Sequence, residues 1–143
     1  MAEERGIALE IDVTTGEKRE VGLATFTVEE LRQAKLFEIH AAFDNARTGS
    51  VKVTVNGRTY LMDAGEEHAV RLKHGVELAE MSGAQTITVT DYDNVEHPDV
   101  PLAEALEIAR QMGVDYALKR ERKNQLRTEI LAASAEQLAT IAW

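Results

Sequence analysis

The sequence predicts an α+β fold: a small antiparallel β-hairpin or sheet packed against three to four helices, with a long C-terminal helix and a short terminal one. Three observations carry that expectation. Asn56-Gly57 stands between two alternating, β-rich segments; apolar residues recur at helical spacing in three long stretches; and a capping box at Ser134–Gln137 restarts a helix after the longest of them. At 143 residues, 44% hydrophobic, the chain is long enough for one cored unit.

Ile7, Leu9, Ile11 and Val13 alternate with polar residues and read as a half-buried strand. Thr14–Glu17 supplies a turn, and a return strand runs through Val21 and Leu23. Residues 1–26 are therefore an N-terminal hairpin segment, and residues 27–143 a single α+β domain without repeats or a linker.

Thr27 and Glu30 form a capping box for the first helix. Its apolar stripe holds Val28, Leu31, Leu36, Ile39, Ala42, Phe43 and Ala46, and Asn45–Ser50 ends it. Phe37 falls on the opposite side and is a candidate contact residue. Lys35 lies within the stripe, where it snorkels or pairs with an acid such as Asp93.

Val51–Val55, Asn56-Gly57 and Arg58–Met62 make the strongest local signal, a two-residue type I′ hairpin whose turn residues both need positive φ. Asp63, with Glu66 three residues on, is expected to cap a second helix reaching Met81. That helix is apolar on two sides, Ala69, Leu72, Val76 and Ala79 on one, Val70, Leu78 and Met81 on the other beside His74. Such a helix is expected to be sandwiched.

Gln85–Thr90 reads as a strand, Asp91–Asn94 as an Asx-type turn, and Val95–His97 as a short return strand. Pro98 and Pro101 lead into the third helix, whose stripe runs Leu102, Ala105, Leu106, Ala109, Met112, Gly113, Tyr116 and Ala117. It lapses through the charged Lys119–Gln125 waist, expected to project past the core, and resumes at Leu126, Ile130 and Leu131. Self-association is expected along this helix. Ser134 caps a short helix expected to bear Leu138, Ile141 and Trp143 and to fold off the long one.

Charge excludes some functions. The net charge of −9 argues against non-specific nucleic-acid binding. No apolar run approaches the roughly 20 residues of a membrane span, and the acidic start does not read as a signal peptide. The absence of cysteine removes disulfides and thiolate chemistry. The imbalance is local: residues 63–107 carry eleven acids against Arg71 and Lys73 alone, whereas residues 108–143 carry six bases and four acids. The basic stretch Lys119, Arg120, Arg122 and Lys123 is a candidate surface for meeting an acidic partner.

No catalytic, cofactor or metal residues are assigned from the sequence. His40, His68, His74 and His97 are scattered, and six residues separate His68 from His74 where helical metal ligands need three or four. Asp91-x-Asp93-Asn94 opens like a calcium loop but has Glu96 and Leu102 where that loop needs glycine and glutamate. There is no Gly-x-Ser-x-Gly elbow and no glycine-rich phosphate loop.

From Glu30 onward, the order of several segments carries a resemblance. Leu31-Arg-Gln-Ala-Lys-Leu-Phe-Glu-Ile39 has a Leu-x-x-x-Lys-x-x-x-Ile pattern. Val53–Tyr60 follows as the hairpin, then the second helix, then Asp93-Asn94 with Pro101-Leu102. The chain closes on Ile130-Leu-Ala-Ala-Ser-Ala-Glu-Gln-Leu-Ala-Thr-Ile-Ala-Trp143. This succession resembles the domain of unknown function 4376, a family of tailed-phage and prophage proteins associated with tail fibres. Family members often place a tryptophan just before the Asp-Asn pair, where this chain has Tyr92.

The resemblance implies a non-enzymatic, tail-associated structural or accessory protein that contacts phage tail proteins in the host cytoplasm during assembly and in the virion tail. The alternative is a tail-fibre assembly chaperone absent from the mature virion. A weaker alternative is a metal- or small-ligand-binding enzyme built on His68, His74 and nearby acids. The family supplies no catalytic residues. Trp143 is expected to pack against the hairpin or to meet a partner.

Overall fold

Local chemistry sets most element boundaries in the computed structural model, which describes the backbone of Leu9–Ile11 and Lys18–Glu20 and all of residues 26–143. Strands β1 (Leu9–Ile11) and β2 (Lys18–Glu20) pair antiparallel, with Leu9 opposite Glu20. The expected turn at Thr14–Glu17 and the strand ends at Ile7, Val13, Val21 and Leu23 lie outside the described residues.

The first helix, α1 (Val28–Thr48), opens on the reciprocal capping box: the Glu30 amide donates to Thr27 Oγ1 at 2.9 Å and the Thr27 amide to Glu30 Oε1 at 3.1 Å. It continues through the expected break at Asn45, because Asp44 and Arg47 pair at 2.9 Å across one turn and Thr48 Oγ1 returns to the Asp44 carbonyl.

Strands β3 (Ser50–Val55) and β4 (Arg58–Asp63) form the expected hairpin, with Asn56 at φ 52° and Gly57 at φ 77°. Asp63 ends β4 opposite Ser50 and does not cap the next helix. α2 (Glu66–Met81) starts after Gly65, and no side chain bonds its first amides.

Strands β5 (Thr86–Thr90) and β6 (Glu96–Pro101) make a second hairpin around the Asp91–Asn94 turn, β6 being longer than expected and ending on Pro101. An irregularity interrupts its register: Val89 faces His97, yet Ile87 faces Val100. The surplus is absorbed at Pro98-Asp99, where Asp99 takes φ 56°.

α3 (Leu102–Ala132) is a single helix of 31 residues, and α4 (Ala135–Leu138) follows on the Ser134–Gln137 capping box. No helix among the described residues is long and apolar enough to cross a membrane. The result is an α+β fold, with small two-stranded antiparallel sheets and four helices among the described residues.

The chain divides into two compact units. In residues 43–121, the inner faces of both hairpins (Val53, Tyr60, Met62, Val89, Val100) bury Ala69 and Val76 of α2 and Ala105, Ile108 and Met112 of α3. The packed face of α3 is rotated from the expected stripe: Ile108 is fully buried and Leu106 lies at the surface. The Phe43 and Tyr116 rings meet at a 57° tilt in the same unit, centroids 6.0 Å apart.

The second unit, residues 1–42 with 122–143, buries Ile39, Leu126, Ile130, Ala133 and Leu138, flanked by Leu31, Leu36, Ile141 and Trp143. Beyond its charged waist α3 therefore enters a second core and does not project, because Leu126 and Ile130 find partners within the chain. Trp143 packs in this cluster. Lys35 finds its acid in Glu38 at 2.7 Å, one turn along its own helix.

Candidate functional site

Two features of the 43–121 unit gather polar chemistry. The first is a network laid over the inner face of the hairpins. Asp91 organises its own turn: Oδ1 accepts the amides of Asp93 and Val95, each at 2.9 Å, which is the expected Asx arrangement. Its other oxygen, Oδ2, meets His97 Nε2 at 2.9 Å.

His97 can take this position because of the bulge. His97 and Val100 are three positions apart, so a regular strand would send them to opposite faces. The one extra residue at Pro98-Asp99 returns both to the inner face. There the His97 ring stands edge-on to Tyr60, centroids 5.1 Å apart. The Tyr60 hydroxyl donates to Glu104 Oε2 at 2.7 Å, Asn56 Nδ2 donates to Oε1 at 3.3 Å, and the Arg58 guanidinium lies 3.7 Å away.

The hydrogen bond from Tyr60, helped by Asn56 and Arg58, holds the Glu104 carboxyl below its ordinary value. Burial, then the Glu104 carboxylate, pushes the Tyr60 hydroxyl up. The His97 hydrogen bond and the turn amides hold Asp91 down. Tyr60 stays protonated and both acids stay ionised at neutral pH, so none of the three is poised for proton transfer there. This network latches the two hairpins to the first turn of α3. Glu104 is also well placed there against the helix dipole.

The second feature is an open cavity of about 330 Å³ between α2, the end of β4 and β5. His68, Arg71, Leu72 and Gly75 recur at i, i+3, i+4 and i+7, placing one α2 face along it. β4 adds Met62 and Asp63, β5 adds Ile87–Thr90, and Met112 of α3 closes the floor. Met62, Leu72, Ile87, Val89 and Met112 make it mainly apolar, whereas Asp63, His68, Arg71, Thr88 and Thr90 supply polar groups.

His68 and His74 do not come together. His68 lines the cavity, its Nε2 3.7 Å from Glu67, while His74 is exposed on another face with its Nδ1 3.9 Å from Glu77. Among the described residues, no group of three or more His, Asp or Glu side chains is placed to hold a metal ion.

Of the contact residues singled out from sequence, Arg122 and Trp143 come together. Phe37 is 78% exposed on α1. Lys119 donates to Asp115 at 2.6 Å and to the Ala46 carbonyl at 3.2 Å. Arg122 donates to the Ala142 carbonyl at 3.2 Å and stands 5.6 Å over the Trp143 ring, so it clamps the C-terminal segment. Arg120 is exposed, and Lys123 is partly buried.

Sequence reading missed Tyr60, Glu104 and the cavity face of α2. The His68/Arg71/Leu72/Gly75 spacing was the available signal for that face, hidden because two of its members are polar. The second apolar face of α2 is not sandwiched: Val70, Leu78 and Met81 are 57, 52 and 82% exposed.

No family model, curated protein or solved structure matches the chain.

Proposed function

We propose that this chain is a non-enzymatic accessory protein of a phage or prophage tail, acting through protein–protein contacts in the bacterial host cytoplasm during assembly and in the tail. The observation that carries the contact role is the open stripe of α2. Val70, Leu78 and Met81 recur along one side of a helix whose other side is already packed, and all three are more than half exposed. The ordered resemblance from Leu31 to Trp143 supports the tail setting.

Tail proteins are the proposed partners of α2, and a second copy of the chain is the proposed partner of α3. On α3, Leu106, Val114 and Leu118 are exposed at spacings of eight and four residues.

Mass spectrometry of purified particles and of unassembled tail intermediates tests the reading. The chain is expected in the particles at fixed stoichiometry to a tail protein. Recovery only with unassembled tail proteins would replace this reading with the chaperone one. Absence from both fractions would remove the tail role altogether.

A further inference from the structure

The cavity beside α2 holds two opposite charges that the fold does not use. Residues 63–107 contain eleven acids, yet Arg71 pairs with none of them among the described residues. Its nearest helical prospect, Glu67, one turn back, lies 3.7 Å from His68 instead. The Asp63 carboxylate, released from capping because α2 starts after Gly65, likewise has no hydrogen-bond or ion-pair partner among the described residues. Both line the same 330 Å³ space, and they do not meet within the 4.0 Å of an ion pair.

Arg71 is exposed to solvent and Asp63 is half-buried, so both are free to meet a ligand. Here a mainly apolar wall, Met62, Leu72, Ile87, Val89 and Met112, lies in the same cavity. A ligand that satisfies all three elements carries an anion, a cation and an apolar body. The volume sits at the small end of the roughly 300–1,000 Å³ typical of ligand sites, too small for a large cofactor.

We propose that this cavity binds a small zwitterion with an apolar side chain, a free apolar α-amino acid or a dipeptide. Its carboxylate pairs with Arg71, with His68 beside it; its ammonium pairs with Asp63; and its side chain lies on the methionine and β-branched wall. The Thr88 and Thr90 hydroxyls add hydrogen-bonding capacity along the rim. The site is independent of the α2 stripe proposed as a contact face, since Val70, Leu78 and Met81 do not line it.

The test is a titration of the full chain, labelled at its methionine methyls, with leucine, leucyl-leucine, N-acetyl-leucine and leucinamide, followed by NMR. Saturable shifts of the Met62 and Met112 methyls are expected with leucine or leucyl-leucine, the tighter of the two identifying the source, while exposed Met81 stays still. N-acetyl-leucine lacks the cation and leucinamide the anion, so each should bind roughly tenfold or more weakly, the size of one charge-assisted hydrogen bond. Arg71→Gln should weaken all three ligands that carry a carboxylate and leave leucinamide unchanged. Asp63→Asn should erase the advantage of leucine over N-acetyl-leucine and leave the latter unchanged.

Two results overturn the proposal. One is the absence of saturable shifts at millimolar leucine and leucyl-leucine. The other is equal binding of all four ligands to the wild-type chain, a comparison that does not depend on whether a variant folds.

Discussion

Ile130 and Leu131 are adjacent on α3 and chemically alike, yet the fold gives them opposite roles. Ile130 is fully buried among Ile39, Leu126, Ala133 and Leu138, whereas Leu131 is 51% exposed. Ile130→Ala removes three carbons from a closed site. At about 0.8 kcal/mol per buried methylene the transfer loss is about 2.4 kcal/mol. A partly relaxed cavity raises the total to about 3–4 kcal/mol, within the roughly 2–5 kcal/mol span of such truncations. Leu131→Ala removes carbons already half in water and places the better helix former there, so about 1 kcal/mol at most should be lost. Urea unfolding followed by circular dichroism reads the difference as a lower midpoint for Ile130→Ala at an unchanged slope. Equal losses, or the reverse order, would refute the assignment of the last third of α3 to a packed core.

Gly65 holds φ 115°, and a Cβ there would stand 2.9 Å from the Arg47 carbonyl oxygen. Gly65→Ala should therefore destabilise by roughly 1–3 kcal/mol through backbone strain, read in the same urea assay; a neutral result would contradict the geometry. Glu107 is held down to about 2 by its hydrogen bonds from Arg110 and then Gln111. A depressed folded value gives stability that is present above the ordinary glutamate value of 4.5 and lost as pH falls through about 2. Glu107→Gln should accordingly be less stable than wild type at pH 7, with the gap closing between pH 4.5 and 2; a constant gap would contradict the pairing. Sedimentation equilibrium should show a mass above the monomer that falls in Leu118→Glu; a monomer at high concentration in wild type would exclude self-association through α3.

Local chemistry was the legible part of the sequence. The capping boxes at Thr27 and Ser134, the Asn56-Gly57 hairpin and the Asp91 turn each need only a few neighbouring residues, and each forms as the sequence predicts. What escaped depends on partners distant in the chain. Asp63 has the right residue type for a cap, but the hairpin ladder claims its backbone opposite Ser50 and the helix begins two residues after its expected start. His97 lies on the inner face only because the bulge at Pro98-Asp99 shifts the strand, and single-sequence alternation cannot register that shift.

The candidate cavity was illegible for a related reason. Its α2 face mixes His68 and Arg71 with Leu72 and Gly75, so it does not stand out in an apolar pattern. Only the placement of β5 against that face turns the spacing into a wall. The charge asymmetry was visible in sequence, but its basic side is largely engaged within the chain: Lys119 meets Asp115 and Arg122 the C-terminal segment. Exposure on α2 was the converse surprise. Two apolar faces were expected to be covered, and one is open.

That open face is the centre of the functional account, and one measurement reaches it directly. Wild-type chain and a Leu78→Asp/Met81→Asp double variant, matched in circular dichroism and urea midpoint, are each expressed during tail assembly. Their amounts on purified tails are then counted by quantitative mass spectrometry. The account predicts wild-type chain at fixed stoichiometry and loss of most of the variant. Equal retention of the two would contradict a contact role for the α2 stripe.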